Sequence, residues 1–197
     1  VLLVQWTAQS RWGYVATPRR LAAPQQVDDI VARIDAHLAD RCREADVAPV
    51  GLADELTVLR RLSLALHGTV PSLDELRQFE ADTRPRPLAR WTGRMLADDR
   101  FADYFAERLA RSMVGTEDEP FLVYRRDRFT DWLSTQLKQN RPWDRIAREI
   151  ISGTGLWTGH GETNFITATI ADEQINSEEL AGRTVRAFLG QRIDCAQ

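Results

Sequence analysis

Cys195-Ala196-Gln197 carries the most specific chemistry legible in this chain of 197 residues. The three residues match the start of a Cys-x-x-Cys-His motif, in which two spaced thiols add to the vinyl groups of a haem and the adjacent imidazole ligates the iron. One thiol alone does neither job, so the reading needs a second cysteine and a histidine beyond Gln197. Taken alone, Cys195 is an ordinary cysteine. His160 is the next candidate. It lies between two glycines in Ser152-Gly-Thr-Gly-Leu-Trp-Thr-Gly-His-Gly161, close to Glu162. There it could approach a bound ligand or serve as a distal haem ligand, the alternative being a solvent-exposed histidine in a turn.

Other chemistry is thin. Cys42, the only other cysteine, lies too far along the chain from Cys195 to suggest a disulfide framework or a metal-ligand spacing, though a pairing in an oxidising compartment stays open. It reads as a packed or half-exposed thiol near a helix end, and His37 is turned away from its face. His67, just before Gly68, suits a helix C-terminus, where positive charge is favoured. There is no G-x-S-x-G elbow, H-E-x-x-H pair, cysteine-protease signature or phosphate-cradling G-x-x-x-x-G-K. Neighbouring carboxylates such as Asp98-Asp99 are expected by chance among 29 acids. No residue is assigned a catalytic role, no metal-ligand set is read, and no enzymatic activity is assigned.

The elements that must position these groups are helical. Val27, Ile30, Val31, Ile34 and Leu38 fall at i, i+3, i+4, i+7 and i+11, which predicts a helix to about residue 44. Leu56, Leu59, Leu62, Ser63 and Leu66 predict a second, ended by Gly68. Ser72-Leu-Asp-Glu75 is a capping box opening a short helix through Phe79. After the stiff Arg84-Pro-Arg-Pro87 come Leu88, Trp91, Met95 and Leu96 on one face, then Phe101, Tyr104, Phe105 and Leu109 on another. Aromatic stripes at this spacing read as core, with a cofactor-pocket lining as the alternative. Phe129, Trp132, Leu133 and Leu137 mark a further helix, and Ile146, Ile150 and Ile151 a shorter one after Pro142 in a first-turn position. The last helix starts at Ser177 as N-cap, carries two acids in its first turn and ends on Gly190. No alternating run is long enough to argue for a sheet. The expected fold is all-α, an irregular bundle of about six or seven helices with one long Gly-rich loop. That loop, 152–170, is the region best suited to function, with a plain connection as the other reading.

Several of these segments occur in the order of a known family. Ser177-Glu-Glu-Leu-Ala-Gly-Arg-Thr-Val-Arg-Ala-Phe-Leu-Gly190, leading to Cys195, resembles the end of the planctomycete cytochrome c-associated domain of unknown function, where such a helix runs into Cys-Ala-x-Cys-His. Leu59-Arg-Arg-Leu-Ser-Leu-Ala-Leu-His-Gly-Thr-Val-Pro-Ser-Leu-Asp-Glu-Leu76 is similar to that family's opening. Met95-Leu-Ala-Asp-Asp-Arg-Phe-Ala-Asp-Tyr104, Tyr124-Arg-Arg-Asp-Arg-Phe-Thr-Asp-Trp132 and Asn140-Arg-Pro-Trp-Asp144 resemble its middle. The resemblance covers 53–197. It implies an exported, periplasmic or secreted, cytochrome-like protein in which Cys195 forms the first haem thioether. Haem c is then expected in the full-length protein and not in the chain as it stands, because the second cysteine and the histidine are absent from it.

Composition bounds the rest. A 43% hydrophobic content suits one compact core. Net charge −3 and a pI near 5.7 give no global drive toward nucleic acid or anionic lipid. Lys138 is the only lysine among 26 basic residues, so most arginines read as solvated helix faces rather than ligand contacts. The Leu59 to Phe79 stretch could pass for a helix-turn-helix, but acids open its second helix, which opposes phosphate binding. Residues 1–25 read as an N-terminal tether or the remnant of an anchor, and 26–197 as a single helical domain. Val1-Leu-Leu-Val-Gln-Trp6 is far short of the roughly 20 apolar residues that span a bilayer. Arg11, Arg19 and Arg20 just after it argue mildly against export. The expected partners are attached domains of the same protein and a redox partner, with no nucleic acid, and with the membrane only through an N-terminal anchor. The function expected is that of a helical module preceding a c-type haem segment, with electron transfer implied. The alternative is a non-redox structural or interaction domain supporting an attached domain.

Overall fold

The computed structural model describes residues 24–116, 124–171 and 174–193. Among them are nine α-helices and one pair of two-residue strands, so the fold is all-α, with more helices than the six or seven expected. The chain divides into two compact units, one of residues 9–54 and one built from Glu55 onward.

In the first unit, α1 (Pro24–Glu44) is the only described helix. Its apolar stripe of Val27, Ile30, Val31, Ile34 and Leu38 has the expected spacing and is about half exposed among the described residues. Asp46 adopts a left-handed conformation (φ 53°) just after the helix, and the Val47 amide donates to the Cys42 carbonyl at 2.9 Å. Cys42 is a half-buried free thiol in the last turn.

The second unit opens with α2 (Glu55–His67), α3 (Leu73–Glu80) and α4 (Pro87–Leu96). Leu59, Phe79, Trp91 and Met95 form their shared core, with Leu62, Leu66, Leu76 and Leu88 packed around it. The capping box is present: Ser72 Oγ accepts from the Glu75 amide at 3.2 Å, and Glu75 accepts from the Ser72 amide at 2.8 Å. His67 ends α2 but is buried, and its Nε2 donates to the Met95 carbonyl at 3.0 Å. The ring therefore gives a second donor to a last-turn carbonyl of α4 that also accepts from the Asp98 amide at 3.3 Å, which ties the end of α2 to the end of α4.

Next, α5 (Asp99–Val114) packs on α2 and α4, and on two helices later in the chain, α6 (Arg126–Lys138) and α9 (Ser177–Leu189). Its fully buried line is Ala102, Ala106 and Ala110, at i, i+4 and i+8, while Phe101, Tyr104, Phe105 and Leu109, the expected stripe, are only partly buried. Small residues let the backbone of α6 (Arg126–Lys138) come close, and Phe129 and Leu133 of α6 fill the interface with no exposed surface. Each such side chain contributes about 1.5–3 kcal/mol of burial. The aromatics flank this seam, with Phe101 and Phe105 4.6 Å apart between ring centres.

Then come α7 (Trp143–Ser152), the one-turn α8 (Asn164–Thr167) and α9 (Ser177–Leu189). Ile146 and Ile150 of α7, Phe165 of α8, and Leu180, Ala187 and Phe188 of α9 close the same core. Strands β1 (Ile170–Ala171) and β2 (Gln174–Ile175) pair antiparallel, Ile170 with Ile175, a tie too short to show as alternation in the sequence. Asn176, rather than the expected Ser177, caps α9 through its Oδ1, 3.0 Å from the Glu179 amide, and Gly190 ends it left-handed.

Candidate functional site

The segment between α7 and α8 carries His160 and is tied to α6, though residues 154–156 and 158–160 are exposed. Asn164 is its anchor. With no exposed surface, its amide donates to the carbonyls of Trp157 (3.2 Å) and Gly161 (3.1 Å), and its Oδ1 accepts from the backbone amide of Arg125 at 2.9 Å. One side chain thus ties both limbs of the loop to the start of α6. The Arg125 guanidinium lies 5.8 Å from the centre of the Trp157 ring.

The glycines are where the loop touches its neighbours. A Cβ on Gly161 would stand 2.5 Å from Trp132 Cβ and 2.7 Å from the Arg128 carbonyl, so only glycine lets the loop lie this close to α6. Gly155, at φ +126°, has the His160 ring where its side chain would be, 2.5 Å from the Cβ position. At these two glycines the loop makes its close contacts, while a Cβ on Gly159 would meet nothing within 4 Å.

His160 Nδ1 lies 3.2 Å from Glu162 Oε1, with the imidazole 53% exposed and the carboxylate 16% exposed. When Nδ1–H donates to the carboxylate, Nε2 keeps its lone pair, the arrangement of a histidine oriented by a second group for ligation. That leaves Nε2 as the ring atom with a free lone pair, while the Cδ2–Nε2 edge packs over Gly155. Among the described residues no group of three or more His, Cys, Asp or Glu could hold a metal ion.

Cys195 lies outside the described residues. The helix that leads to it does not: Phe188 in the last turn of α9 meets Phe165 edge-on, 6.0 Å between ring centres, and Phe165 is the neighbour of Asn164. Arg183 of α9 donates to Glu179 at 2.7 Å and to the Val114 carbonyl at 3.2 Å, which fixes the helix against α5. The helix that precedes Cys195 thus meets α8, which directly follows the loop that bears His160, through one aromatic contact.

Over residues 33–197 the chain matches the family described as PSCyt2, protein of unknown function (DUF1549). The chain belongs to this family. The PSCyt2 match begins inside α1 and takes in every later element, so it starts earlier than the motifs at 53 onward suggested. Its description assigns no activity. No curated protein and no solved structure matches the chain.

Sequence reasoning missed Asn164 and Arg125. Asn164 sits in a mixed polar and β-branched stretch that gives no local sign of burial, and Arg125 was one arginine among many.

Proposed function

We propose that this PSCyt2 domain is the helical module preceding a c-type haem segment in an exported cytochrome-like protein, with electron transfer as its task. The observation that carries the reading is the contact of Phe188 with Phe165, which joins the helix before Cys195 to α8, the helix directly after the loop that holds His160. Cys195 is proposed as the first thioether-forming thiol, and His160, oriented by Glu162, as an imidazole ligand whose Nε2 edge turns off Gly155 to reach the iron. A bound haem would supply one-electron chemistry, its potential set by axial ligands and burial. The chain's own part is to orient: α9 directs the attachment segment and Asn164 holds the loop. Attached domains of the same protein and a redox partner complete the proposal.

No described helix is long and apolar enough to cross a membrane. The proposed location outside the cytoplasm follows from the chemistry of haem attachment and the family resemblance.

The test is the visible spectrum and intact mass of a chain extended several residues past Gln197 and matured where c-type haem is attached. A Soret band that survives denaturation and disappears in Cys195→Ser supports the proposal. A colourless protein of apo mass, where a control cytochrome matures, transfers the assignment to a non-redox structural or interaction domain.

A further inference from the structure

A separate region, at the junction of α3 and α4, has the construction of a ligand site. A cavity of about 570 Å³ there has Gln78, Asp82, Arg84, Arg90, Trp91 and Arg94 among its walls. That volume is in the range of small-molecule sites. We propose that this cleft binds small oxyanions, a phosphoryl or carboxylate group carried by a small molecule. The proposal is independent of the haem reading and rests on different residues.

Charge is the first argument. Three guanidinium groups line the cleft against one carboxylate. That carboxylate is already engaged: Asp82, with its side chain 7% exposed, accepts from Arg84 Nε at 2.8 Å and Nη2 at 3.0 Å, and from Arg90 Nη2 at 2.8 Å. Two positive charges remain uncompensated by the lining. Among the described residues no acceptor meets Nη1 of Arg84, or Nε and Nη2 of Arg94. Guanidinium groups with free N–H pairs on one cavity suit the planar geometry of carboxylates and phosphates.

Preorganisation is the second argument. Arg94 lies 4.7 Å from the centre of the buried Trp91 ring and donates to Gln78 Oε1 at 3.0 Å, so its orientation is set before any ligand arrives. Arg84 is fixed by Asp82. Arg90 holds the turn between them, donating to the carbonyls of Arg84 at 3.0 Å and of Pro85. Inside that turn Arg86 is left-handed (φ 55°, ψ 59°) between Pro85 and Pro87, a conformation disfavoured for a residue before proline. Backbone strain of this kind persists where surrounding contacts hold it, and it collects at ligand sites. A rigid, prearranged pair of donors loses little freedom on binding.

The test uses the full chain with labelled arginine side chains, titrated with inorganic phosphate and separately with acetate, sodium chloride keeping ionic strength constant. Saturable shifts of the Arg84 and Arg94 Nε–H resonances are expected. Arg84→Gln and Arg94→Gln should each weaken binding by about ten-fold or more. Arg77→Gln, an exposed position on α3 outside the cleft, should leave it unchanged. Saturation by phosphate alone assigns a phosphoryl ligand, by acetate alone a carboxylate, and by both a general oxyanion site. Shifts that never saturate, or equal affinity in folded Arg84→Gln and Arg94→Gln variants, overturn the proposal.

Discussion

The loop between α7 and α8 and the turn between α3 and α4 are both irregular, yet they are built in opposite ways. The first is closed by contact: glycines lie against Trp132 and His160, and a fully buried asparagine satisfies three backbone groups. The second is held by charge: Asp82 and Arg90 brace a left-handed Arg86 and leave a cavity beside them. Glycine content usually suggests freedom and proline stiffness. Here the glycine-rich segment, though exposed over 154–156 and 158–160, is the one drawn against a neighbouring helix, and the proline-flanked turn is the one that borders open space.

Breaking the closed loop should cost most. Asn164→Ala removes three hydrogen bonds and leaves the Arg125 amide and the Trp157 carbonyl without this partner, while the Gly161 carbonyl keeps the backbone amide of residue 164, a loss of about 3 kcal/mol. Urea unfolding of the variant measures it, and an unchanged midpoint would show that the loop contributes nothing to stability. Gly161→Ala follows at about 2 kcal/mol, because the added methyl must displace Trp132 or the α6 backbone from 2.5–2.7 Å. The same substitution at Gly159, whose Cβ would meet nothing within 4 Å, is the control.

These sites also show why the sequence revealed some features and hid others. Periodicity marked α2, α4, α6 and α7, since Leu59, Trp91, Phe129 and Ile146 are large and repeat at helical spacing. It misplaced the centre of α5. There Ala102, Ala106 and Ala110 are buried because helix backbones come close, and alanine gives a hydrophobic-pattern search little signal next to Phe101 and Phe105. Ser72 and Glu75 were legible because a capping box is a local device. Asn164 was not, because its partners lie on the 125, 157 and 161 backbones and only the fold brings them together. The arginine cleft was hidden for a similar reason: each of its arginines looks like any other until the α3–α4 turn places three of them on one cavity.

A smaller effect tests charge-held structure at the opposite end of α3 from the turn. Glu75 accepts from Arg100 Nη2 at 2.6 Å, and that hydrogen bond, with help from Ser72, holds its carboxyl at about 2, below the usual 4.5, against the opposing effect of burial. Its folded pKa is the lower one, so its stabilisation is complete above about pH 4.5 and is lost as pH falls toward about 2. Glu75→Gln keeps an acceptor for the Ser72 amide but loses the charge. It should destabilise by about 1 kcal/mol at pH 7, with the difference from wild type shrinking steadily in acid. A pH series of denaturant midpoints checks this, and a constant gap down to pH 2 would remove the ion pair from the explanation.

The smallest stability effect should be at Arg84, and it sharpens the comparison most. Its side chain is 71% exposed, and its partner Asp82 keeps Arg90 when it is removed. Arg84→Gln should therefore leave the thermal midpoint unchanged within error, because an exposed ion pair contributes little. A side chain that is held in place, adjoins a cavity and has no stability role is oriented for something other than folding. A large drop in midpoint would instead make Arg84 part of the brace that supports the turn, and the two irregular regions would then differ only in the kind of force that closes them.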